Sequence, residues 1–371
     1  DPVAIQIFSI DIRWYSLAYV IGILFGWILS KKIFITDDEL KEKFDDYLTF
    51  LILGIIILET IFGNWLKSNN FGYSIRDLRN VNIPISIKFD GKNYNYVFKR
   101  NNLGFIGEEL NPKDIQILFL GGSTGEEMFK PPEFSIVNQI NSKLSYDQID
   151  IKIINASKAG KSTRGYVNDF EKWFSKIENF NPKIVIFYLG INDSIINLPD
   201  HFDEVDKKKI SEKFEDYFKN NSALYLFKKK IQNAFFNDLR TYYGLKEEDL
   251  YNNFNFIDYD KAEFLYSSLN KNEDNKNVLK NLSKNLENLN KHIKERNFLP
   301  IFITQVKFNG IGDYNLFLVN QYLKKFCDEN NYPIVKLDEL SKNFIEDDFY
   351  DEYHTTINGS VKISNLIFPH L

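Results

Sequence analysis

Ser123, Asp351 and His354 are the residues of this chain whose types fit nucleophilic catalysis, and they stand in two short blocks, ILFLGGST at 117–124 and DEYH at 351–354. A serine hydroxyl is a weak nucleophile until a base takes its proton. A histidine oriented by a carboxylate is such a base, and Asp351 and His354 supply both groups on one short segment. Attack on an ester carbonyl creates an oxyanion that needs donors held in place beforehand. Two further blocks offer them: NASKAG at 155–160 ends on Gly160, with an unhindered backbone N–H, and FYLGIND at 187–193 contains the side-chain amide of Asn192.

The segments around these blocks read as the scaffold that must position them. Apolar runs at 117–120, 151–154 and 184–189 have the length and composition of buried parallel strands, and each leads into a polar block. Gly121-Gly122 lets the backbone turn sharply, so that Ser123 stands at the C-terminal end of its strand, where open α/β sheets place their chemistry. Helices at 276–296 and 316–329 and strands at 300–304 and 333–337 complete an alternating pattern. The expected fold is α/β, a doubly wound and mostly parallel sheet in three layers. Taken singly, the blocks are unremarkable: Gly-Gly-Ser-Thr is a common strand-to-helix turn, and Gly-Ile-Asn-Asp a common turn. Their order and strand contexts together make the case for one site.

The four blocks resemble those of the SGNH, or GDSL-like, hydrolases over roughly residues 95–371. The resemblance implies that Ser123 is the nucleophile and also offers its N–H to the oxyanion, that Gly160 and Asn192 are the other two donors, and that Asp351 and His354 are the terminal Asp-x-x-His pair. The stretch NNLGFIGEEL at 101–110 is similar to a membrane-associated bacterial branch acting on acyl or acetyl esters, often of envelope glycans. In one respect the chain departs from the family pattern, with Gly122 in place of the usual Asp before the serine.

The chain has 371 residues, of which 44% are hydrophobic and 16% aromatic, enough for one sizeable domain and an accessory part. A net charge of -5 gives no reason to expect a nucleic-acid partner. With Cys327 as the single cysteine there is no intrachain disulfide, and its place in a predicted helix marks it as a small buried hydrophobe. His201, His292 and His370 lack metal-ligand spacing, so neither a metal site nor another cofactor is expected.

At the N-terminus, 14–30 is an uncharged apolar run of membrane-spanning length, and 47–66 is a second run broken only by Glu59. They are expected to form a transmembrane helical hairpin, residues 1–66, contacting membrane lipid. Lys31, Lys32, Lys41 and Lys43 lie in the charged loop between the runs and place it in the cytoplasm, with both ends outside and the catalytic domain in the periplasm of a bacterial inner membrane. Residues 1–32 and 44–56 also resemble the N-terminal spans of prolipoprotein diacylglyceryl transferases. The likeness stops near Ile57, before that family's functional His and Arg residues.

Residues 67–100 are expected to be a linker with a small hairpin around Asp90-Gly91, pairing 85–89 with 94–98. An insertion at about 195–275, with helical stretches at 207–219 and 223–236, reads equally as a cap over the site and as a solvated decoration. Its Tyr225, Phe227, Tyr242 and Tyr243 are candidates to stack on a sugar or hold an acyl chain. The expected function is a membrane-anchored serine esterase or acyltransferase whose substrate is an acyl ester, such as an acetylated glycan or a lipid. A diacylglyceryl transferase and a non-catalytic glycan-binding module are the alternatives.

Overall fold

A computed structural model describes residues 3–7, 10–33, 35, 37–63, 65, 78–89, 92–195, 218, 219, 221–225, 227, 228, 273–307 and 314–371. The chain divides into two compact units, one of residues 1–67 with 218–231 and one of residues 68–217 with 232–371.

In the larger unit, five strands form a parallel sheet: β5 (Ile117–Gly121), β6 (Ile153–Asn155), β7 (Ile184–Tyr188), β8 (Leu299–Ile303) and β9 (Ile334–Val335), in the spatial order β6-β5-β7-β8-β9. The parallel sheet is the one expected, with strand ends shifted by one or two residues. Its order reverses direction between β5 and β7, the switch point at which such sheets open a crevice at their C-terminal ends.

Period-2 alternation explains why both faces are covered. On β5, Leu118 and Leu120 enter one buried cluster, Ile117 and Phe119 the other. On β7, Val185 and Phe187 face the first, Ile186 and Tyr188 the second. The first cluster is closed by apolar residues of α5 (Thr163–Lys172), α6 (Glu273–Arg296) and α7 (Tyr314–Asn330), among them Phe170, Leu286 and Leu323. The second is closed by α4 (Ile136–Tyr146) and α8 (Ile357–Ile367), through Ile140 and Ile363. Cys327, on α7, is buried in the first cluster, and that burial raises its thiol pKa.

The expected hairpin is longer than the sequence suggested. Strands β3 (Val81–Phe89) and β4 (Lys92–Arg100) pair antiparallel from Phe89↔Lys92 to Val81↔Arg100; residues 90 and 91 of the expected turn lie outside the described residues. Beyond β4, Ile106 bridges to Arg100 and to Asn155, joining the hairpin to the β6 edge of the parallel sheet. Gly104, with φ +90°, is the residue that permits this turn, and a β-carbon there would stand 2.9 Å from the Trp173 ring. Trp173 is fully buried, stacks on Phe105 at 5.4 Å and donates from Nε1 to Leu103 O at 2.8 Å. The block 101–110 is thereby fastened under α5.

The smaller unit opens with an unexpected pair of short antiparallel strands, β1 (Val3–Ile7) and β2 (Ile10–Arg13), followed by α1 (Trp14–Ile33) and α2 (Asp38–Phe62). The charged segment expected as a loop is instead mostly helical: α2 starts at Asp38 because Asp37 caps Leu40 N at 3.1 Å and Asp38 and Glu39 favour the first turn. Trp27 Nε1 of α1 donates to Asp45 of α2 at 2.7 Å. Phe50, Ile61 and Phe62 of α2 are exposed. Among the described residues, no helix is long and apolar enough to cross a membrane.

Glu59, the charge that interrupts the second apolar run, has a local partner. It accepts from Trp65 Nε1 and Ala223 N, both at 2.7 Å, and from Ser222 Oγ at 2.8 Å, so it caps a segment of the insertion. Most of that insertion, including Tyr242, Tyr243, residues 207–217 and residues 229–236, lies outside the described residues.

Candidate active site

The three blocks that follow β5, β6 and β7 meet at the C-terminal edge of the sheet because their strands are direct neighbours. After β5 the chain turns at Gly122 into a single helical turn, α3 (Ser123–Glu126), closed by Gly125 N and Glu126 N donating to Gly122 O at 3.1 and 2.9 Å. Ser123 opens that turn, half-buried, where a helix leaves its first amides without internal partners.

After β6, Asn155 uses its side chain twice, accepting from Ser157 N at 2.9 Å and donating to Gly125 O at 2.8 Å. Ala156 N and Lys158 N donate to Phe119 O and Gly121 O, so the loop leading to Gly160 is laid along the Ser123 turn. Gly160 has φ +77°, a conformation a β-carbon disfavours.

After β7, Asn192 donates from Nδ2 to Lys161 O at 2.8 Å, while Asp193 accepts from Thr163 N at 3.0 Å. A β-carbon at residue 122 would lie 2.6 Å from Asn192 Nδ2. Gly122 is therefore the residue that lets this amide close on the backbone beside Ser123.

The fourth block is held differently. Residues 349–355 form a tight loop closed by a Phe349↔Thr355 bridge and by Tyr350 N donating to His354 O at 2.9 Å. Inside it, Asp351 Oδ2 lies 2.6 Å from His354 Nδ1, and Asp351 Oδ1 accepts from His354 N at 2.6 Å and Tyr353 N at 2.8 Å. Burial alone would raise the Asp351 carboxyl, but these bonds outweigh it and hold its pKa below the ordinary carboxylate value. Tyr350 stacks on the His354 ring at 5.5 Å, within 11° of parallel. With Nδ1 on the carboxylate, Nε2 is the nitrogen left to act as a base. Among the described residues, no hydrogen bond joins Ser123 to His354; such bonds are often formed only when substrate binds.

Sequence reasoning missed several residues that brace this edge. Gln305, just past β8, accepts from Ile191 N at 2.6 Å and donates to Thr124 Oγ1 at 2.7 Å, tying the Asn192 block to the serine turn. Arg100, buried at the end of β4, donates to Glu126 at 2.5 Å, Ser157 O at 2.6 Å and Gly104 O at 3.0 Å. The available signal was position alone: each lies at or near a strand end. His292, on α6, stacks on Phe170 at 5.8 Å, and burial lowers its pKa. A cleft of about 460 Å³ runs along the β6 edge, lined in part by Tyr96, Glu108, Asn138 and Lys152; Ser123, Asp351 and His354 do not line it.

Residues 117–255 match the family model described as GDSL-like lipase/acylhydrolase, and residues 2–62 the model described as prolipoprotein diacylglyceryl transferase. The first match takes in Ser123, Gly160 and Asn192 and ends before Asp351 and His354. Over those residues, less than half of its length, the chain is similar to that acylhydrolase family. Its N-terminal segment is 41% identical over 59 residues to the phosphatidylglycerol–prolipoprotein diacylglyceryl transferase of Rickettsia rickettsii (strain Sheila Smith), covering 15% of this chain and 23% of that protein. The corresponding transferase of Rickettsia typhi is 39% identical over the same length and coverage. The chain thus spans about a quarter of the length of the curated relatives it matches. Similar solved structures include TesA, at 11% identity and TM-score 0.41, covering 69% of this chain and 97% of that one. A catalytic mutant of the acetylxylan esterase Axe2 from Geobacillus stearothermophilus has 13% identity and TM-score 0.39, covering 69% and 93%.

Proposed function

We propose that the protein is a serine esterase or O-acyltransferase that works through an acyl-serine intermediate on acyl or acetyl esters. In this reading His354 Nε2 takes the proton of Ser123 Oγ, and Asp351, bonded to Nδ1 at 2.6 Å, keeps the ring in the required tautomer. Ser123 Oγ attacks the carbonyl carbon, and the Ser123 N–H, the Gly160 N–H and the Asn192 amide receive the oxyanion. His354 then returns the proton to the leaving alcohol. The acyl group passes from Ser123 to water or to a sugar hydroxyl, with His354 again taking and returning a proton.

The observation that carries this reading is the closure of Asn192 Nδ2 over Gly122, which sets a side-chain donor against the backbone beside the serine. The match of residues 117–255 to the acylhydrolase family supports the reaction type. Membrane association through residues 1–66, with the catalytic unit in the periplasm and an envelope glycan or lipid as acceptor, belongs to the same proposal. Its membrane part is supported by the N-terminal match and by the exposed apolar residues of α1 and α2.

The test uses the full-length protein with a fluorophosphonate probe and a short-chain aryl ester. Ser123→Ala is expected to abolish both labelling and turnover while shifting the melting temperature by no more than about 2 °C. A variant that keeps turnover within about tenfold of wild type would remove Ser123 as the nucleophile.

A further inference from the structure

Glu127 leaves α3 with φ +51°, in the left-handed region where glycine or asparagine sits more easily. Its carboxylate accounts for a glutamate there. One oxygen accepts from Ile136 N at 2.5 Å; the other accepts from Lys130 Nζ and from Ser360 Oγ, both at 2.6 Å. Lys130 donates further to Thr355 Oγ1 at 2.8 Å and to Ser360 Oγ, and reaches Thr356 O at 3.5 Å. The two side chains are only 4% and 2% exposed, so the ion pair is fully inside the protein. An apolar pair of equal volume usually stabilises a fold at least as well as a buried ion pair. A contribution to stability is therefore a weak explanation for this one.

What the pair connects is more telling. Glu127 and Lys130 follow Ser123 on the nucleophile turn, whereas Thr355 directly follows His354 and Ser360 lies in the first turns of α8. We propose that Glu127 and Lys130 are positioning residues that moor the His354 loop to the Ser123 turn, through Thr355 and Ser360. The inference rests on reading Ser123 and His354 as nucleophile and base. The loop is well bonded within itself, but those bonds fix only its internal shape. Lys307 also holds the loop from outside, pairing with Glu352 at 3.0 Å and lying 4.6 Å over the Tyr353 ring, but the mooring is the buried link to the Ser123 turn, and a displacement of about 1 Å there can cost on the order of 10²-fold in rate.

The test compares full-length wild type with Lys130→Met and with the charge-free pair Glu127→Gln/Lys130→Met, which leaves no unpaired buried charge if the single variant fails to fold. Two readouts are taken: amide hydrogen exchange over residues 348–356, and kcat and KM on the aryl ester. Mooring predicts exchange in that loop faster by about tenfold or more while β5 and β7 stay protected. It also predicts kcat lower by roughly 10- to 100-fold with KM within about twofold. Unchanged exchange in the loop overturns the mooring whatever the activity, and so does faster exchange with kcat within about twofold of wild type. Faster exchange in a protein whose wild type takes no fluorophosphonate label supports the mooring and overturns the serine-hydrolase reading instead.

Discussion

The two halves of the candidate site are held by different physics. Ser123, Gly160 and Asn192 follow β5, β6 and β7, and their spacing derives from the hydrogen-bond ladder of adjacent parallel strands with a buried core on both faces. Asp351 and His354 belong to a loop after the last strand, and their placement depends on side-chain bonds: Asp351 to His354 within the loop, and Lys130 and Glu127 to Thr355 and Ser360 beyond it. A strand ladder shares its load over many backbone bonds, so one substitution moves it little. A few buried polar contacts have no such redundancy, and removing one partner strands the other. The loop half should therefore be the more easily broken in rate without loss of fold.

The largest effect expected from this contrast is at Asp351→Asn, which keeps the shape of the side chain but disturbs the tautomer of His354. Steady-state kinetics should show kcat reduced about 10³–10⁴-fold, with the far-UV spectrum unchanged. Its pH behaviour has a definite sign. Because the Asp351 carboxyl is held below its unfolded value of about 3.9, its contribution to stability is complete above that value and is lost as pH falls through the depressed one. The stability gap between wild type and Asp351→Asn, measured by urea titration, should be level from about pH 5 to 8 and close below about pH 4. A gap that widens on acidification would contradict the bond pattern around the carboxylate.

In the sheet half, Asn192→Ala removes a proposed oxyanion donor and is expected to lower kcat roughly 10²–10³-fold, with little change in KM. A loss under about threefold would take Asn192 out of that role. A smaller effect, about 10- to 100-fold in kcat, is expected for Gly122→Ala. The new β-carbon would meet Asn192 Nδ2 at 2.6 Å and force the amide away from Lys161 O, without removing any catalytic group. A Gly122→Ala enzyme with wild-type kcat would show that the close approach of Asn192 has no catalytic consequence, and would weaken the contrast between the halves.

The same contrast explains what could be read from the chain directly. The apolar runs at 117–120 and 184–189 predict β5 and β7 because a strand buried on both faces must be apolar throughout, a property written into consecutive residues. The blocks that follow those runs inherit their position from them. The hairpin was legible in its existence and not in its length: β3 keeps an apolar residue at every second position, but Pro84 inside it reads as a break, and Val97 interrupts the alternation of β4. Strands β1 and β2 went unrecognised beside the much stronger apolar run that follows them. The helical start of α2 was hidden because its charged first residues read as a loop, until Asp37 is seen capping Leu40 N.

By itself, then, the sequence determined the types and order of the candidate groups and the parallel sheet that gathers three of the four blocks, because strand burial and turn chemistry are local properties of neighbouring residues. Only the tertiary structure decided that Gly122 makes room for Asn192, that Gln305 and Arg100 brace the strand ends, and that Lys130 and Glu127 reach Thr355 and Ser360. Those contacts join residues far apart in the chain, and a buried charge reads in sequence like any surface charge until the partner that neutralises it is in place.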